Sequence, residues 1–231
     1  MAPAIEPLGD AAVIVAWRSL DDSSAWQAVQ NATEQLLRHR IDGVLTVAPA
    51  FKSLTAYYDC GKLTWKDIEC WIAESLRIVS IASLPPNRTV EIPVCYDAEF
   101  AMDLASVAES HSLSIDEVVR LHSDAKYVVQ MIGFSPGFPY LAGLPLPLQT
   151  PRRASPRLKV PVGSVAIGGN QTGIYSLETP GGWNIIGRTP MRLFDPQRDP
   201  LCLLRTGDAI RFVAIDRDQY DEFSSKNARL A

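Results

Sequence analysis

The sequence predicts an α+β protein of two domains, in which mixed helices and strands precede a C-terminal antiparallel β-barrel. Two observations support this prediction. Before Tyr127, apolar residues recur at helical spacing in some segments and alternate in others. After Tyr127, short apolar segments are separated by glycine and proline turns, as in closed or sandwiched β units. We expect one domain over residues 1–90 and a second, which starts with two short helices, over residues 91–231.

The N-terminal elements follow the order strand, helix, strand, strand, helix, strand. Asp21 has N-cap chemistry for the first helix, and Thr64 with Asp67 has it for the second. We predict these elements over residues 11–17, 21–40, 44–47, 53–58, from 64 onward and 88–94. This order is that of the split βαβ, or ferredoxin-like, domain.

The C-terminal elements are two short helices and then strands. The helices are predicted over residues 103–111 and 114–122, the second with Ser114 as cap and Glu117 three residues later. The strand candidates cover residues 128–132, 164–167, 174–177, 184–187, 191–194 and 209–215. We therefore predict that they close into an antiparallel barrel or pack as a sandwich.

Composition excludes several classes of function. A formal net charge of −4 and a pI near 5.4 give no general attraction to nucleic acid or to an anionic membrane. No apolar stretch reaches the ~20 residues that span a bilayer, and no basic secretory leader is visible, so we expect a cytoplasmic protein. The cysteines lack metal or redox spacing and are expected to be buried thiols, without a metal site: Cys60, Cys70, Cys95 and Cys202.

Residues 133–140 form a dense glycine, proline and aromatic run. Its first part matches the G-x-S-x-G pattern of a serine hydrolase, with Ser135 as the nucleophile. Pro136 argues against that reading, because the residue after the nucleophile must donate a backbone N–H that proline lacks. The run is therefore interpreted as a structural or ligand-facing loop.

Other motifs leave two or three readings open. A basic group between prolines either binds an anion or partner or is simply solvated: Arg152, Arg153, Arg157 and Lys159. The glycine-rich residues 168–173 either bind an oxyanion or form a tight turn. His122 is either a general acid or base or a helix-terminal residue. Tyr175 and Trp183 either line a pocket, meet a partner or pack in the core. No complete ATP-binding motif is visible in the sequence.

Several of these motifs together resemble a known family. They include Gly133-Phe134-x-Pro136-Gly137-Phe138, Val160-Pro161-x-Gly163 and Pro180-Gly181-Gly182-Trp183 followed by Gly187-Arg188-Thr189-Pro190. This pattern is similar to that of the bacterial 5-oxoprolinase B subunits, also labelled allophanate hydrolase subunit 1 or KipI-type kinase inhibitor. The resemblance implies a ferredoxin-like domain followed by a cyclophilin-like barrel.

The resemblance also implies a function and partners. It implies a nucleotide-dependent hydrolase that cleaves 5-oxo-L-proline to L-glutamate in a heteromer with the homologous C subunit and the A subunit, and that is inactive alone. ATP is the expected co-substrate, held at the subunit interface or by a partner, with Mg²⁺ possible beside it. Carried over to this chain, the catalytic candidates are His122, Arg157 and Arg152. The candidates for binding substrate, nucleotide or partner are Phe134, Pro136, Gly137, Phe138, Tyr140, Gln171, Thr172, Tyr175, Trp183 and Arg188.

Three other functions remain as alternatives. The family label suggests an inhibitor that docks on a histidine kinase through its C-terminal domain. The relatives fused in urea carboxylase suggest an allophanate or urea-derived amide as substrate, or a carboxyltransferase. A cyclophilin-like barrel invites a prolyl isomerase reading, which no residue here favours.

Overall fold

The computed structural model describes residues 3–77 and 88–229, which divide into two compact units, Met1–Pro85 and Pro86–Ala231. The first unit is a four-stranded antiparallel sheet with two helices. Its elements are β1 (Ala4–Pro7), β2 (Ala12–Ala16), α1 (Asp22–Arg38), β3 (Val44–Pro49), β4 (Ser53–Tyr58) and α2 (Trp65–Arg77). The strands lie in the order β1-β2-β4-β3.

Local capping starts both helices of this unit where the sequence predicts. The Asp21 carboxylate accepts hydrogen bonds from the backbone amides of Ser23 and Ser24, at 3.1 and 3.0 Å. Thr64 and Asp67 each accept a hydrogen bond from the other's backbone N–H. Both predicted helix starts are confirmed. The helices and the sheet enclose one apolar core, whose fully buried members include Val29, Leu36, Leu54, Ile68 and Ile72.

The predicted ferredoxin-like order is present only in part. Strand β4 lies between β2 and β3 and is antiparallel to both, so β2, α1 and β3 form a split βαβ unit. The strand predicted over residues 88–94 does form, but it pairs in the second unit. At the sheet edge beside β2 lies β1 instead. The assignment of residues 88–94 to the first sheet is wrong because an alternating pattern predicts a strand without indicating its pairing partner.

The second unit contains nine strands and three helices among its described residues. The helices are α3 (Leu104–Ser110), α4 (Ile115–Asp124) and α5 (Arg217–Arg229), and a 3-10 turn covers Leu146–Leu148. The strands are β5 (Thr89–Cys95), β6 (Tyr127–Ile132), β7 (Pro139–Ala142), β8 (Arg157–Val160), β9 (Ser164–Gly168), β10 (Gln171–Ile174), β11 (Thr179–Gly181), β12 (Asn184–Arg188) and β13 (Ala209–Ile215). Ser114 and Glu117 form the predicted capping box of α4.

Seven of these strands close a barrel in the order β10-β7-β6-β13-β5-β12-β9, and β8 pairs with β11 separately. The predicted closed barrel is confirmed, but its all-antiparallel character is wrong at one pair. Strands β5 and β13 run parallel from Thr89↔Ala209 to Cys95↔Ile215. A parallel pair needs a long connection, and the connection here contains the rest of the barrel.

Several short elements differ from the prediction. The strand expected over residues 174–177 lies earlier, at β10, and residues 191–194 contribute only an isolated bridge, Phe194↔Cys202. The prediction omitted β1, β7, β8, β11 and α5. The omitted strands are only three or four residues long and carry too few alternating positions to be recognised in the sequence.

Two expectations about the whole chain can be compared with the described residues. All four cysteines are free, but only Cys95 is buried, whereas Cys60 and Cys70 are exposed. The expectation of buried thiols is therefore wrong for those two. None of the helices in residues 3–77 and 88–229 combines the length and apolar character needed to cross a membrane.

Candidate functional site

Five aromatic side chains of the second unit surround a surface cleft of about 190 Å³, which we call the aromatic cleft. They come from the loop before β7, from β7 itself, and from the segments that follow β10 and β11. Glycine, proline and arginine residues complete the walls. The lining consists of Phe134, Phe138, Tyr140, Arg152, Arg153, Pro156, Tyr175, Pro180, Gly181, Gly182 and Trp183.

The aromatic rings pack edge to face around Phe138. The ring centroid of Phe138 lies 4.9 Å from that of Tyr140, 5.2 Å from that of Tyr175 and 5.7 Å from that of Trp183. Such T-shaped pairs are the favoured geometry for aromatic side chains. Phe138, Tyr175 and Trp183 are buried, so these rings form rigid walls.

Glycines make room for two of these rings. A Cβ on Gly168 would lie 2.5 Å from the indole of Trp183, and a Cβ on Gly181 would lie 2.2 Å from the Tyr175 hydroxyl oxygen. No real side chain fits at either distance. Gly168 and Gly181 therefore let the backbone pack directly against the rings of Trp183 and Tyr175.

The loop between β6 and β7 projects one aromatic ring to the rim of the cleft. Phe134 has a backbone φ of +69°, which is uncommon for a residue other than glycine, and its side chain is 63% exposed. The loop is closed by hydrogen bonds from the Gly133 amide to the Phe138 carbonyl and from the Phe138 amide to the Ser135 carbonyl. Strained backbone next to an exposed aromatic ring is typical of ligand-binding loops.

The Ser135 hydroxyl of this loop contacts a second serine. It lies 3.3 Å from the hydroxyl of Ser176, which in turn donates to the Pro136 carbonyl at 2.6 Å. This arrangement is structural, since a serine neighbour does not activate a nucleophile as a histidine would. Gly137 has a φ of +77°, and a Cβ there would meet Phe194 at 2.8 Å. Pro136 and Gly137 therefore shape the loop without lining the cleft.

A buried aspartate holds two arginines of the predicted basic group. Asp103 accepts two hydrogen bonds from Arg157, at 2.8 and 2.9 Å, and one from Arg153, at 2.7 Å. The backbone N–H of Ile185 also donates to this carboxylate, at 2.7 Å. Arg157, a predicted catalytic residue, is thus engaged in an internal bidentate ion pair. We call Asp103 with Arg153 and Arg157 the arginine clamp.

Arg152 lies outside the clamp and differs from Arg153 and Arg157 in its contacts. Its guanidinium carbon lies 5.7 Å from the ring centroid of Trp183, a cation–π distance. No carboxylate of the described residues lies within ion-pair distance of it. The backbone on both sides is fixed, because Asn184 donates to the Pro151 carbonyl at 2.9 Å and the Arg153 amide donates to the Gly182 carbonyl at 2.7 Å.

The tyrosine hydroxyls of the cleft remain protonated at neutral pH. Burial raises the pKa of Tyr140, and the positive charge of Arg152 partly offsets this effect. Burial likewise raises the pKa of Tyr175, with offsets from the Trp183 backbone amide and from Arg152. Since the charge of Arg152 acts on both pKa values, its guanidinium belongs to the same local environment as the two phenols.

His122 lies inside the barrel and outside the lining of the aromatic cleft. It is fully buried, its Nδ1 is 2.8 Å from the Tyr96 hydroxyl, and its Nε2 is 3.1 Å from the Thr172 hydroxyl. Because Thr172 donates to the Ala166 carbonyl at 3.0 Å, Nε2 must donate to Thr172 and Nδ1 must accept from Tyr96. Burial lowers the pKa of His122 to about 3, so the ring is neutral.

Three other candidates also lie outside the cleft lining. Thr172 is buried beside His122, and the Nε2 of Gln171 lies 3.3 Å from the Oε1 of Gln130. Gln171 and Thr172 belong to the β9–β10 hairpin. The glycine-rich segment therefore forms a tight turn, which is one of the two readings left open. Arg188 donates to the Val162 carbonyl at 2.8 Å and lies over the Phe100 ring.

The structure therefore brings together one arginine and five aromatic residues of the predicted site: Arg152, Phe134, Phe138, Tyr140, Tyr175 and Trp183. The sequence prediction did not identify Asp103, which organises the basic segment. Asp103 precedes α3 and has the residue type of a helix cap, yet its side chain makes no capping hydrogen bond. Its arginine partners are 50 and 54 residues away, so no local pattern indicates them.

Comparison with known proteins places the chain in a family. The model of the carboxyltransferase domain, subdomain C and D, matches residues 3–204. The 5-oxoprolinase B subunit of Bacillus subtilis (strain 168) is 38% identical over 233 residues, which cover 96% of this chain and 97% of the relative. The chain belongs to the family of 5-oxoprolinase B subunits. The resemblance found in the sequence motifs is thereby confirmed.

Solved structures show the same fold within longer chains. The crystal structure of TTHA0988 superposes with a TM-score of 0.78 at 36% identity, over 89% of this chain and 40% of that one. The urea carboxylase of Kluyveromyces lactis superposes with a TM-score of 0.76 over 97% of this chain and 23% of its own length. Its identity is 19%, so it supports the fold alone.

Proposed function

We propose that this chain is the B subunit of an ATP-dependent 5-oxoprolinase that opens the lactam of 5-oxo-L-proline to give L-glutamate, in the cytoplasm and together with the C and A subunits. The observation that carries this proposal is the full-length similarity to a protein named as the B subunit of 5-oxoprolinase. The aromatic cleft supports it, because a small planar ring suits a narrow space with rigid aromatic walls.

We assign the substrate, and not the nucleotide, to the aromatic cleft. Its volume of about 190 Å³ is below the ~300–1,000 Å³ of sites that enclose drug-sized ligands. Arg152 is its one arginine without a carboxylate partner in the described structure, whereas a triphosphate is held by several donors and cations. The described residues of this cleft therefore do not fit ATP. ATP, with any Mg²⁺ that accompanies it, would be bound with residues of a partner subunit.

The proposal of partner subunits is supported by the lengths of similar proteins. The regions matched in TTHA0988 and in the Kluyveromyces lactis urea carboxylase are 40% and 23% of those chains. In both proteins this fold is therefore joined to further polypeptide. We propose that in this chain the corresponding polypeptide is supplied as separate subunits. The exposed Phe134 ring at the rim of the cleft offers an apolar contact for such a partner or for the substrate.

The proposal is tested by measuring glutamate formed from 5-oxoproline and ATP. The chain is assayed alone, with the C subunit, and with both the C and A subunits, and complex formation is checked by size-exclusion chromatography. Activity only in the complete mixture is the expected result. A stable, folded complex that forms no glutamate would refute the proposal and favour a urea-derived substrate or kinase inhibition.

A further inference from the structure

We propose that the aromatic cleft binds a small cyclic carboxylate without residues from a partner, and that Arg152 is the residue that binds its carboxylate. This inference rests on the proposed function and deepens it, because it assigns substrate recognition to one residue. The arginine clamp is given a positioning role.

The first step is the difference among the three arginines. Arg153 and Arg157 bind the Asp103 carboxylate at 2.7 to 2.9 Å. Arg157 thus uses two donors, and Arg153 one, on a buried carboxylate. Arg152 lies at the cleft, over Trp183, and has no such partner in the described structure. A guanidinium fork with unused donors is suited to bind a carboxylate through two hydrogen bonds.

The second step is the local charge. Three arginines and one aspartate give three positive charges and one negative charge, so this group carries a net charge of +2. The protein as a whole has a formal net charge of −4. A positive site on a negative protein selects anions locally. The clamp thus supports anion binding through its positive field.

The third step is an unsatisfied donor in the cleft wall. The Nε of Arg153 is buried and has no hydrogen-bond partner in the described structure. Buried donors in folded proteins are rarely left without a partner, so such a group indicates an acceptor supplied by water or a ligand. Arg153 lines the cleft next to Arg152. A carboxylate on Arg152 would bring an acceptor close to this donor.

The fourth step is the shape of the rest of the cleft. The walls beyond Arg152 are Phe138, Tyr140, Tyr175 and Trp183, whose rings are fixed by mutual packing. Burial raises the pKa of the two phenols and keeps them neutral, so they add no negative charge to the cleft. A ligand with one carboxylate and one compact amide ring satisfies each of these features.

A comparison of two lactam ligands distinguishes recognition of the carboxylate from recognition of the ring. 5-Oxoproline carries both, whereas 2-pyrrolidinone has the same lactam ring without the carboxylate. Trp183 is the only tryptophan among residues 86–231, and the other four lie before residue 78. Its indole ¹H–¹⁵N NMR signal, assigned with a Trp183→Phe variant, therefore reports ligand binding to the second unit.

We expect 5-oxoproline to shift the Trp183 signal and Arg152→Gln to weaken its binding by about 10- to 100-fold, the effect of losing a hydrogen-bonded charge. Arg152→Lys should restore part of the affinity. Arg120→Gln removes an exposed arginine of α4 and should change the affinity less than about twofold. Binding of 2-pyrrolidinone should be equally weak in the wild type and in Arg152→Gln.

In the reconstituted enzyme, Arg152→Gln should raise KM for 5-oxoproline by a similar factor with little change in kcat. An unshifted Trp183 signal, or equal affinity of the wild type and Arg152→Gln, would overturn the inference. The inference would also be overturned if ATP shifted the Trp183 signal and added 5-oxoproline did not reverse that shift. If the mixture forms no glutamate while the titration behaves as expected, the proposed function fails and the carboxylate site stands.

Discussion

Replacing Asp103 with asparagine tests whether the arginine clamp positions the wall of the aromatic cleft. The substitution keeps the size of the side chain but replaces one carboxylate oxygen with an amide donor. That donor would face the guanidinium groups of Arg153 and Arg157, which are donors themselves. The clamp would therefore lose at least one ion-pair contact and gain a repulsive one.

The expected loss in the free energy of unfolding follows from the burial of the ion pair. Removing one partner of a buried ion pair typically costs about 3–5 kcal/mol. The side chain of Asp103 is 4% exposed, but those of Arg157 and Arg153 are 22% and 35% exposed, so water can solvate the released arginines in part. We therefore expect Asp103→Asn to lower the free energy of unfolding of the second unit by about 3 kcal/mol, the low end of that range.

Urea unfolding followed at the Trp183 indole signal measures this quantity, because that tryptophan alone reports on residues 86–231. Asp124→Asn is the matched control, since Asp124 is 70% exposed and lies 3.9 Å from Arg120 on the surface of α4. It should change the stability by less than about 1 kcal/mol. A loss below about 1 kcal/mol for Asp103→Asn would refute the positioning role of the clamp.

Three further predictions concern the histidine, a glycine and the exposed aromatic ring. Burial lowers the pKa of His122 from its ordinary 6.5 to about 3. The neutral buried ring therefore contributes fully to the free energy of unfolding above pH 6.5. As the pH falls from 6.5 toward 3, the unfolded chain binds a proton that the folded chain does not, and stability falls by about 1.4 kcal/mol per pH unit. Urea unfolding at several pH values should show this slope, and a His122 ring signal that titrates near pH 6.5 would contradict it. Gly181→Ala should destabilise the second unit by about 1–3 kcal/mol, because its Cβ would meet the Tyr175 hydroxyl, whereas a Cβ on Gly182 would come no closer than 3.6 Å to Pro156, an ordinary contact, and Gly182→Ala should be tolerated; equal stabilities would show that the ring can move. Phe134→Ala should leave stability within about 0.5 kcal/mol, since the ring is 63% exposed, but should raise KM for 5-oxoproline; unchanged kinetics would exclude Phe134 from the site.

Local chemistry explains which parts of the fold the sequence predicts. The helix starts at Asp21, Thr64 and Ser114 depend on hydrogen bonds between residues two or three apart, and all three form. Strands β4 and β13 have the predicted bounds because their apolar patterns are long enough to recognise. The partner of β5 is about 120 residues away, so its own pattern could not assign it to the barrel.

The same distinction applies to the site. Tyr175 and Trp183 adjoin glycines, which left a pocket, a partner contact and core packing open as readings, and the structure places both at the aromatic cleft with three other aromatic residues. The burial of His122 depends on Tyr96 and Thr172, which are 26 and 50 residues away, so its position on α4 gave no indication of it. The clamp likewise joins Asp103 to residues some 50 positions later. Contacts that depend on barrel closure require the structure.

The most direct test of the account is a crystal structure of the reconstituted complex with 5-oxoproline bound. We expect the ligand ring between Tyr175 and Trp183 and its carboxylate at a hydrogen-bond distance of about 2.7–2.9 Å from the Arg152 guanidinium. In this complex Arg153 and Arg157 should stay bound to Asp103. Electron density for the ligand at another site, with the aromatic cleft unoccupied or filled by the nucleotide, would contradict it.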